Sequence, residues 1–337
     1  MKKVGLLTFQ NANNYGALLQ AYALKETINK LGCDASVINY DSKDMHLKLV
    51  QKPVFYEFAM HYLNLQGDYS EAEDIDYSMY DLVIVGSDQV WNPEITYSDK
   101  AYFLDFLPSS IQRMSYAASI GIGGETIKQY ADFFESGLKD FEKISIRESN
   151  QISFLEELTG KKIERHVDPT LLLNAEEYIS GLGVPRYEQE FIFVYSNNIN
   201  SKLLDFANLL SLHWDIPIRA VSNYGTPYFT NNSSSVTEVE IEKWLAQIKD
   251  AKIILTDSYH GLMFSLIFEK PFYIYTQNRA NISRILEVLL HVGLEKRTIK
   301  NVEKITDVSV EIDFSRARKW VADERERSIE YLKRVTS

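Results

Sequence analysis

Cysteine is nearly absent: Cys33 is the only one in 337 residues. No intramolecular disulfide can form, and no cysteine-based metal cluster can be built from this chain alone. Cys33 is expected to be a buried structural thiol. Long apolar runs are missing as well. The longest, such as Val4 to Leu7 and Ile253 to Leu255, fall far short of the roughly 20 residues a spanning helix needs. Met1-Lys2-Lys3 runs straight into a strand-like segment with no signal-peptide apolar core, so a cytoplasmic protein without a transmembrane segment is expected. Positive charge is in deficit, with 36 Lys and Arg against 47 Asp and Glu and a net charge of −11. That balance repels nucleic acid and anionic lipid at long range, so any anionic ligand needs a local basic pocket. The chain carries no Walker loop, no Gly-x-Ser-x-Gly elbow and no Cys-His pairing. Its six histidines are scattered, and neither HxxxH, HxH nor an acidic triplet suggests a metal.

What is present is apolar content of 45% over a length that suits two cores rather than one. The patterning predicts an α/β chain of two Rossmann-like, doubly wound domains. The first covers 1–174, with an insertion or lid over about 41–79; the second covers 175–312; a surface helix over 313–337 is anchored by Trp320, Ile329 and Leu332. In the first, Val4 to Phe9 reads as a strand, Ala17 to Leu31 as a helix with Gly32 at its C-cap, and Val37 to Tyr40 as a strand. Strands follow at Asp81 to Val85, Arg113 to Ala118 and Lys143 to Arg147. After His166-Val167-Asp168-Pro169 the alternation restarts with strands at Phe191 to Tyr195, Ile218 to Val221, Ile253 to Thr256 and Phe272 to Tyr275. Two such domains are expected to face a cleft at the carboxyl ends of their strands.

Polar loops emerge at several strand ends. Asn14-Tyr15-Gly16 closes the first, which lacks the glycine spacing of a dinucleotide fingerprint. Gly86-Ser87-Asp88-Gln89 follows the apolar Leu82 to Val85; its glycine permits close backbone approach, and its side chains suit sugar hydroxyls, although a plain β-turn fits equally well. Arg147 ends a strand and offers a fork matched to carboxylate or phosphate, or else pairs at the surface with Glu148 or Glu142. Asp168-Pro169-Thr170 reads as a structural turn and interdomain hinge. Thr256-Asp257-Ser258-Tyr259-His260-Gly261 joins a buried strand to a packed helix, and Asp257 or Ser258 can cap it. His260 then lies in the first turn, where the helix dipole disfavours the imidazolium and a bound anion favours it, so it can act as base or acid. The plainer alternative is a histidine that hydrogen-bonds a neighbouring loop. Arg279 and Arg284 either add positive charge nearby or are solvated surface residues.

Taken in order, Asn14-Tyr15-Gly16-Ala17-Leu18-Leu19-Gln20, the segment Asp81 to Asn92, Ile146-Arg147-Glu148, Val167-Asp168-Pro169-Thr170 and Asp257-Ser258-Tyr259-His260-Gly261 resemble the polysaccharide pyruvyl transferase family. The resemblance implies a glycosyltransferase-B-like (GT-B-like) fold. It also implies transfer of an enolpyruvyl unit from phosphoenolpyruvate to a sugar of a polysaccharide or its precursor, in capsule or exopolysaccharide synthesis, with phosphate released. No cofactor is implied beyond phosphoenolpyruvate as co-substrate. His260 would be the active-site histidine and Arg147 the donor-binding arginine, with Asp257, Ser258, Arg279 and Arg284 on the donor side. Asn14, Tyr15, Gly86, Ser87, Asp88 and Gln89 would face the acceptor, a saccharide that, if lipid-linked, places the protein at the inner membrane face. The family often has Arg-Leu before the histidine where this chain has Ser258-Tyr259, which leaves the compensating charge to Arg279 or Arg284.

Two other functions compete. A nucleotide-sugar-dependent glycosyltransferase of the same architecture would need a diphosphate-binding loop, for which Asn223-Tyr224-Gly225-Thr226 is the weak candidate. A non-enzymatic carbohydrate-binding module would suit the 21 tyrosines and 17 phenylalanines, although aromatic side chains usually fill cores.

Overall fold

The structure is a computed structural model that describes residues 1–42, 52–196, 201–222, 234–236, 238–276, 282–299 and 308–337. The chain divides into two compact units. Unit 1 is Met1–Leu173 with Asp323–Ser337, and unit 2 is Asn174–Ala322.

Unit 1 is built on β1 (Lys3–Leu7), β2 (Asp34–Tyr40), β3 (Leu65–Tyr69), β4 (Leu82–Val85) and β5 (Gln112–Ser115), all parallel in the order β3-β2-β1-β4-β5. The four residues of β4 are all buried, as a parallel strand covered on both faces requires. A further parallel pair, β6 (Ile144–Ile146) and β7 (Ile163–Arg165), continues from β5 through backbone bonds from Ser115 N to Lys143 O and from Ala118 N to Ser145 O, both 3.1 Å. The crossover helix Tyr15–Lys30 is apolar on most of its circumference and buries twelve residues. Gly32, just past its end, takes φ +88°, the left-handed conformation that glycine accepts without strain.

The described part of the expected lid belongs instead to the body of unit 1. The helix Pro53–Tyr62 packs Phe55 edge-on against Tyr15, with ring centroids 4.9 Å apart, and β3 is the edge strand of the main sheet. An edge strand needs little apolar sequence, and Gln66-Gly67-Asp68 in β3 hid it. Residues 43–51 lie outside the described residues.

Unit 2 repeats the plan with β8 (Ile192–Ser196), β9 (Ile218–Ser222), β10 (Ser234–Val236), β11 (Ile253–Thr256), β12 (Phe272–Tyr275) and β13 (Thr298–Ile299). They are parallel, in the order β10-β9-β8-β11-β12-β13. In both units the order runs outward from the first strand in one direction and then resumes on its other side, the doubly wound pattern whose switch point lies between β1 and β4 and between β8 and β11.

The helix Ser315–Thr336 is more than a surface helix. From Asp323 onward it belongs to unit 1, where Tyr331, Leu332 and Val335 are buried and Tyr331 Oη donates to Ser115 O at 2.8 Å. Arg325 donates to the carbonyls of Leu171 and Leu173. Its charged composition concealed this, because Glu324 is itself buried and pairs with Arg165 at 2.8 Å and Arg327 at 2.7 Å.

His166 sits beneath this helix. Its Nδ1 hydrogen-bonds Ser145 Oγ at 2.8 Å, and its ring lies 4.4 Å from that of Tyr331 and 6.0 Å from that of Tyr116. Burial first, then the nearby Arg327, Arg165 and Arg334, push the imidazole down from 6.5 to about 3. Between those values the unfolded chain binds the proton and the folded one does not, so stability is full above about 6.5 and lost as pH falls toward 3, by up to about 1.4 kcal/mol per pH unit. Urea unfolding of unit 1, followed by near-ultraviolet dichroism, should therefore weaken from pH 7 to pH 5, and His166→Gln should flatten that dependence. An equally steep dependence in the variant would remove His166 as its cause.

Candidate functional site

At the switch point of unit 1 the loops after β1 and β4 lie side by side. Asn14 caps the helix Tyr15–Lys30, its Oδ1 accepting from Gly16 N at 2.9 Å and Ala17 N at 3.2 Å. Tyr15 is fully buried, so its ring is core and only its backbone borders the loop. After β4, Gly86 N donates to Leu7 O at 2.8 Å, and Thr8 Oγ1 donates to Ser87 O at 2.8 Å. A Cβ on Gly86 would stand 3.0 Å from Thr8 Cβ, so the glycine permits this approach. Ser87 is completely buried, and its Oγ has no hydrogen-bond partner among the described residues. Asp88 takes φ +68°; its carbonyl accepts from Ser119 N at 2.8 Å and its carboxylate from Gln89 N at 2.9 Å. Gln89 Oε1 accepts from Asn92 Nδ2 at 2.9 Å. This loop is thus a constructed strand-end turn, with Asp88 and Gln89 partly exposed.

The same backbone ladder leads to Arg147, whose N donates to Ala118 O at 3.1 Å. Arg147 is only 6% exposed, which rules out the surface pair as its whole role. Its Nη1 lies 2.5 Å from Asp168 Oδ2, and its Nε lies 4.0 Å from Glu148 Oε1. Glu148, also buried, accepts from the Ser119 hydroxyl and from Ile120 N at 3.3 Å. Asp168 Oδ1 accepts from Thr170 N at 3.0 Å and Thr170 Oγ1 at 2.8 Å. Asp168 therefore caps its turn as the Asp-Pro signal predicts, and its other oxygen anchors Arg147. Asp168, Glu148 and Ser119 are the members of this cluster that sequence reasoning did not assign to a site; Glu148, next to Arg147, carried the available signal.

In unit 2, β11 ends at Thr256, whose Oγ1 accepts from Ser258 N at 3.0 Å. Ser258 is the N-cap of the helix Tyr259–Ile267, its Oγ accepting from Gly261 N at 3.3 Å. Asp257, next to the cap, is partly exposed. His260 lies in the first turn and is 8% exposed. Gly261 is required here: a Cβ would meet Thr256 Oγ1 at 2.4 Å, so its absence lets the helix start touch the strand end. The Tyr259 ring stands edge-on to His260, with centroids 5.5 Å apart and 84° between planes, and the Arg284 guanidinium lies 5.7 Å from the centre of the Tyr259 ring. Arg284 is thereby tied to this turn, whereas Arg279 lies outside the described residues, as does the 223–226 loop. Arg147 and its carboxylates belong to unit 1, and His260, Tyr259 and Arg284 to unit 2. Among the described residues no group of three or more His, Cys, Asp or Glu could hold a metal ion.

The family profile described as polysaccharide pyruvyl transferase matches residues 14–279. The chain belongs to this family. As a member it is a transferase of polysaccharide biosynthesis, and the match spans Asn14, Arg147 and His260 alike. No curated protein matches the chain. Among solved structures it is similar to the S. aureus MnaA-UDP co-structure (12% identity, 99% of this chain and 91% of that one, TM-score 0.56). It is also similar to a UDP-GlcNAc 2-epimerase from Methanocaldococcus jannaschii (12%, 98% and 92%, TM-score 0.55). A putative UDP-N-acetylglucosamine 2-epimerase from Listeria monocytogenes is similar as well (11%, 99% and 91%, TM-score 0.54). At such identities the likeness shows the fold alone, two Rossmann-like domains of GT-B-like kind. No helix among the described residues is long and apolar enough to cross a membrane.

Two predictions follow from the packing. Removing one member of the buried Arg147–Asp168 pair strands the other, so Arg147→Met and Asp168→Leu should each destabilise unit 1 by about 3–5 kcal/mol, and the double variant by much less than the sum. Denaturant unfolding of all four proteins measures the coupling, and strict additivity would refute it. Gly261→Ala should overpack the strand-helix junction and cost about 1–3 kcal/mol, with part recovered in Gly261→Ala/Thr256→Ala; an unchanged melting temperature in the single variant would contradict the close approach.

Proposed function

We propose that this transferase moves an enolpyruvyl unit from phosphoenolpyruvate to a saccharide, forming a pyruvate ketal and releasing phosphate. The observation that carries the proposal is His260, held in the first turn of a buried helix at the switch point of unit 2, in a chain of the pyruvyl transferase family. Phosphoenolpyruvate gains a proton at its methylene carbon, which becomes a methyl group. A sugar hydroxyl attacks the carbon that bears phosphate and gives up its own proton. A second hydroxyl of the same sugar then displaces phosphate, its proton leaves with the phosphate, and the ketal ring closes. His260 is the acid or base for these transfers. The helix N-terminus capped by Ser258, with the Arg284 guanidinium over Tyr259, favours the donor's negative charge. Arg147 holds a donor carboxylate or phosphate, with Asp168 and Glu148 fixing its fork, and the Asn14 and Gly86 to Gln89 loops meet the acceptor. The scheme requires no metal and no cofactor beyond the co-substrate.

One observation favours a second reading, nucleotide-sugar-dependent glycosyl transfer: structures of this fold have been solved with UDP. Fold hosts many chemistries, so the site and the family weigh more. Incubation with phosphoenolpyruvate and saccharides offering two neighbouring hydroxyls should release inorganic phosphate and yield a ketal visible by mass spectrometry. Release of nucleoside diphosphate from a nucleotide sugar instead would establish the second reading. His260→Ala should lose about 10²–10⁴ in turnover with its circular dichroism intact. Arg284→Ala should chiefly raise the donor KM, and Arg147→Lys, which keeps a cation beside Asp168, should raise it by about tenfold; full activity in His260→Ala would end the assignment.

A further inference from the structure

Unit 2 holds a cavity of about 810 Å³, within the range of small-ligand sites, that the chemistry above does not use. Arg219 is the second residue of β9, and Tyr187, Pro217 and Asp215, which also line the cavity, precede β8 and β9. This is the amino end of the sheet, whereas His260 follows the carboxyl end of the parallel strand β11.

Two polar groups line it in fixed positions. The Arg219 guanidinium lies between two rings, 4.1 Å from the centre of Tyr187 and 4.5 Å from that of Phe191, and no carboxylate among the described residues pairs with it. Stacking holds the planar fork still and leaves its edge N–H groups to be satisfied. Gln247, on the helix Ile241–Asp250, is 5% exposed, lines the cavity, and makes no side-chain hydrogen bond among the described residues. Its amide is left to bond whatever enters the cavity, a ligand hydroxyl or water. Leu212 and Val236 add apolar surface for sugar C–H faces.

We propose that this cavity is a second binding site for a carboxylate-bearing saccharide, such as an acidic segment of the polymer itself. The Arg219 fork takes the carboxylate, the Gln247 amide takes ring hydroxyls, and the site holds the polymer away from the reacting end. The inference requires no phosphoenolpyruvate, so binding without turnover separates it from the proposed reaction.

Calorimetric titration of the full chain with trigalacturonate and, separately, with neutral galactotriose tests it. The wild type should bind trigalacturonate saturably and galactotriose at least about tenfold more weakly, the loss expected for a charge-assisted contact. Arg219→Gln should abolish that preference, Arg219→Lys should restore part of it, and Gln247→Leu should weaken both sugars, with melting temperatures and catalytic turnover unchanged in all three. Absence of saturable binding to the wild type overturns the proposal. So does equal affinity for the two sugars, or unaltered binding by a folded Arg219→Gln.

Discussion

Parallel strands cannot be joined by tight turns, so each connection must cross a face of the sheet, and the order of crossing determines where loops diverge. In unit 1 the chain leaves β1 toward β2 and later returns to lay β4 on the opposite side. The segments that follow β1 and β4 are carried apart by helices on different faces, which opens a crevice between them that no side chain has to create. The same separation occurs between β8 and β11 in unit 2. Asn14, Gly86 and Ser87 in one unit and Ser258, His260 and Gly261 in the other occupy their positions because of this constraint. The local devices, an Asn cap, a glycine pressed on Thr8 and a glycine pressed on Thr256, only bring backbone close enough for the crevice to be narrow.

The electrostatics of unit 1 follow from what lies behind that crevice. A guanidinium buried alone would be prohibitively costly, and Arg147 is tolerated because Asp168 and Glu148 surround it. Those carboxylates are in turn held by Thr170, Ser119 and two backbone amides. The cluster is therefore a fixed support in which two carboxylates hold one guanidinium.

Much of this was legible in the chain itself. The apolar runs Leu82 to Val85 and Ile253 to Thr256, each bounded by polar or glycine residues, could only be buried strands, and the turns after them were located from the same contrast. Edge strands were less legible. Leu65–Tyr69, Ser234–Val236 and Thr298–Ile299 are short or polar because edges need not be apolar. The role of Asp168 as anchor for Arg147 was also hidden, since it depends on β6 and β7 pairing side by side, a contact across some twenty residues that no local pattern encodes. Tyr15 shows the converse: a tyrosine in a polar loop invites a ligand-binding role, yet its ring is the first core residue of the helix that the loop begins.

Before the histidine this chain has Ser258-Tyr259 where the family often has Arg-Leu, and the structure gives the difference a physical sense. An arginine at position 258 would carry its charge at the cap of the helix itself. Here the aromatic ring occupies that turn, and the charge arrives from the next crossover helix, Ile282–Val292, as Arg284 over the ring. Supplying charge from a separate element also ties the helix that carries His260 to the one that carries Arg284, so the position of the cation relative to the histidine depends on the packing of two crossover helices rather than on one turn of backbone.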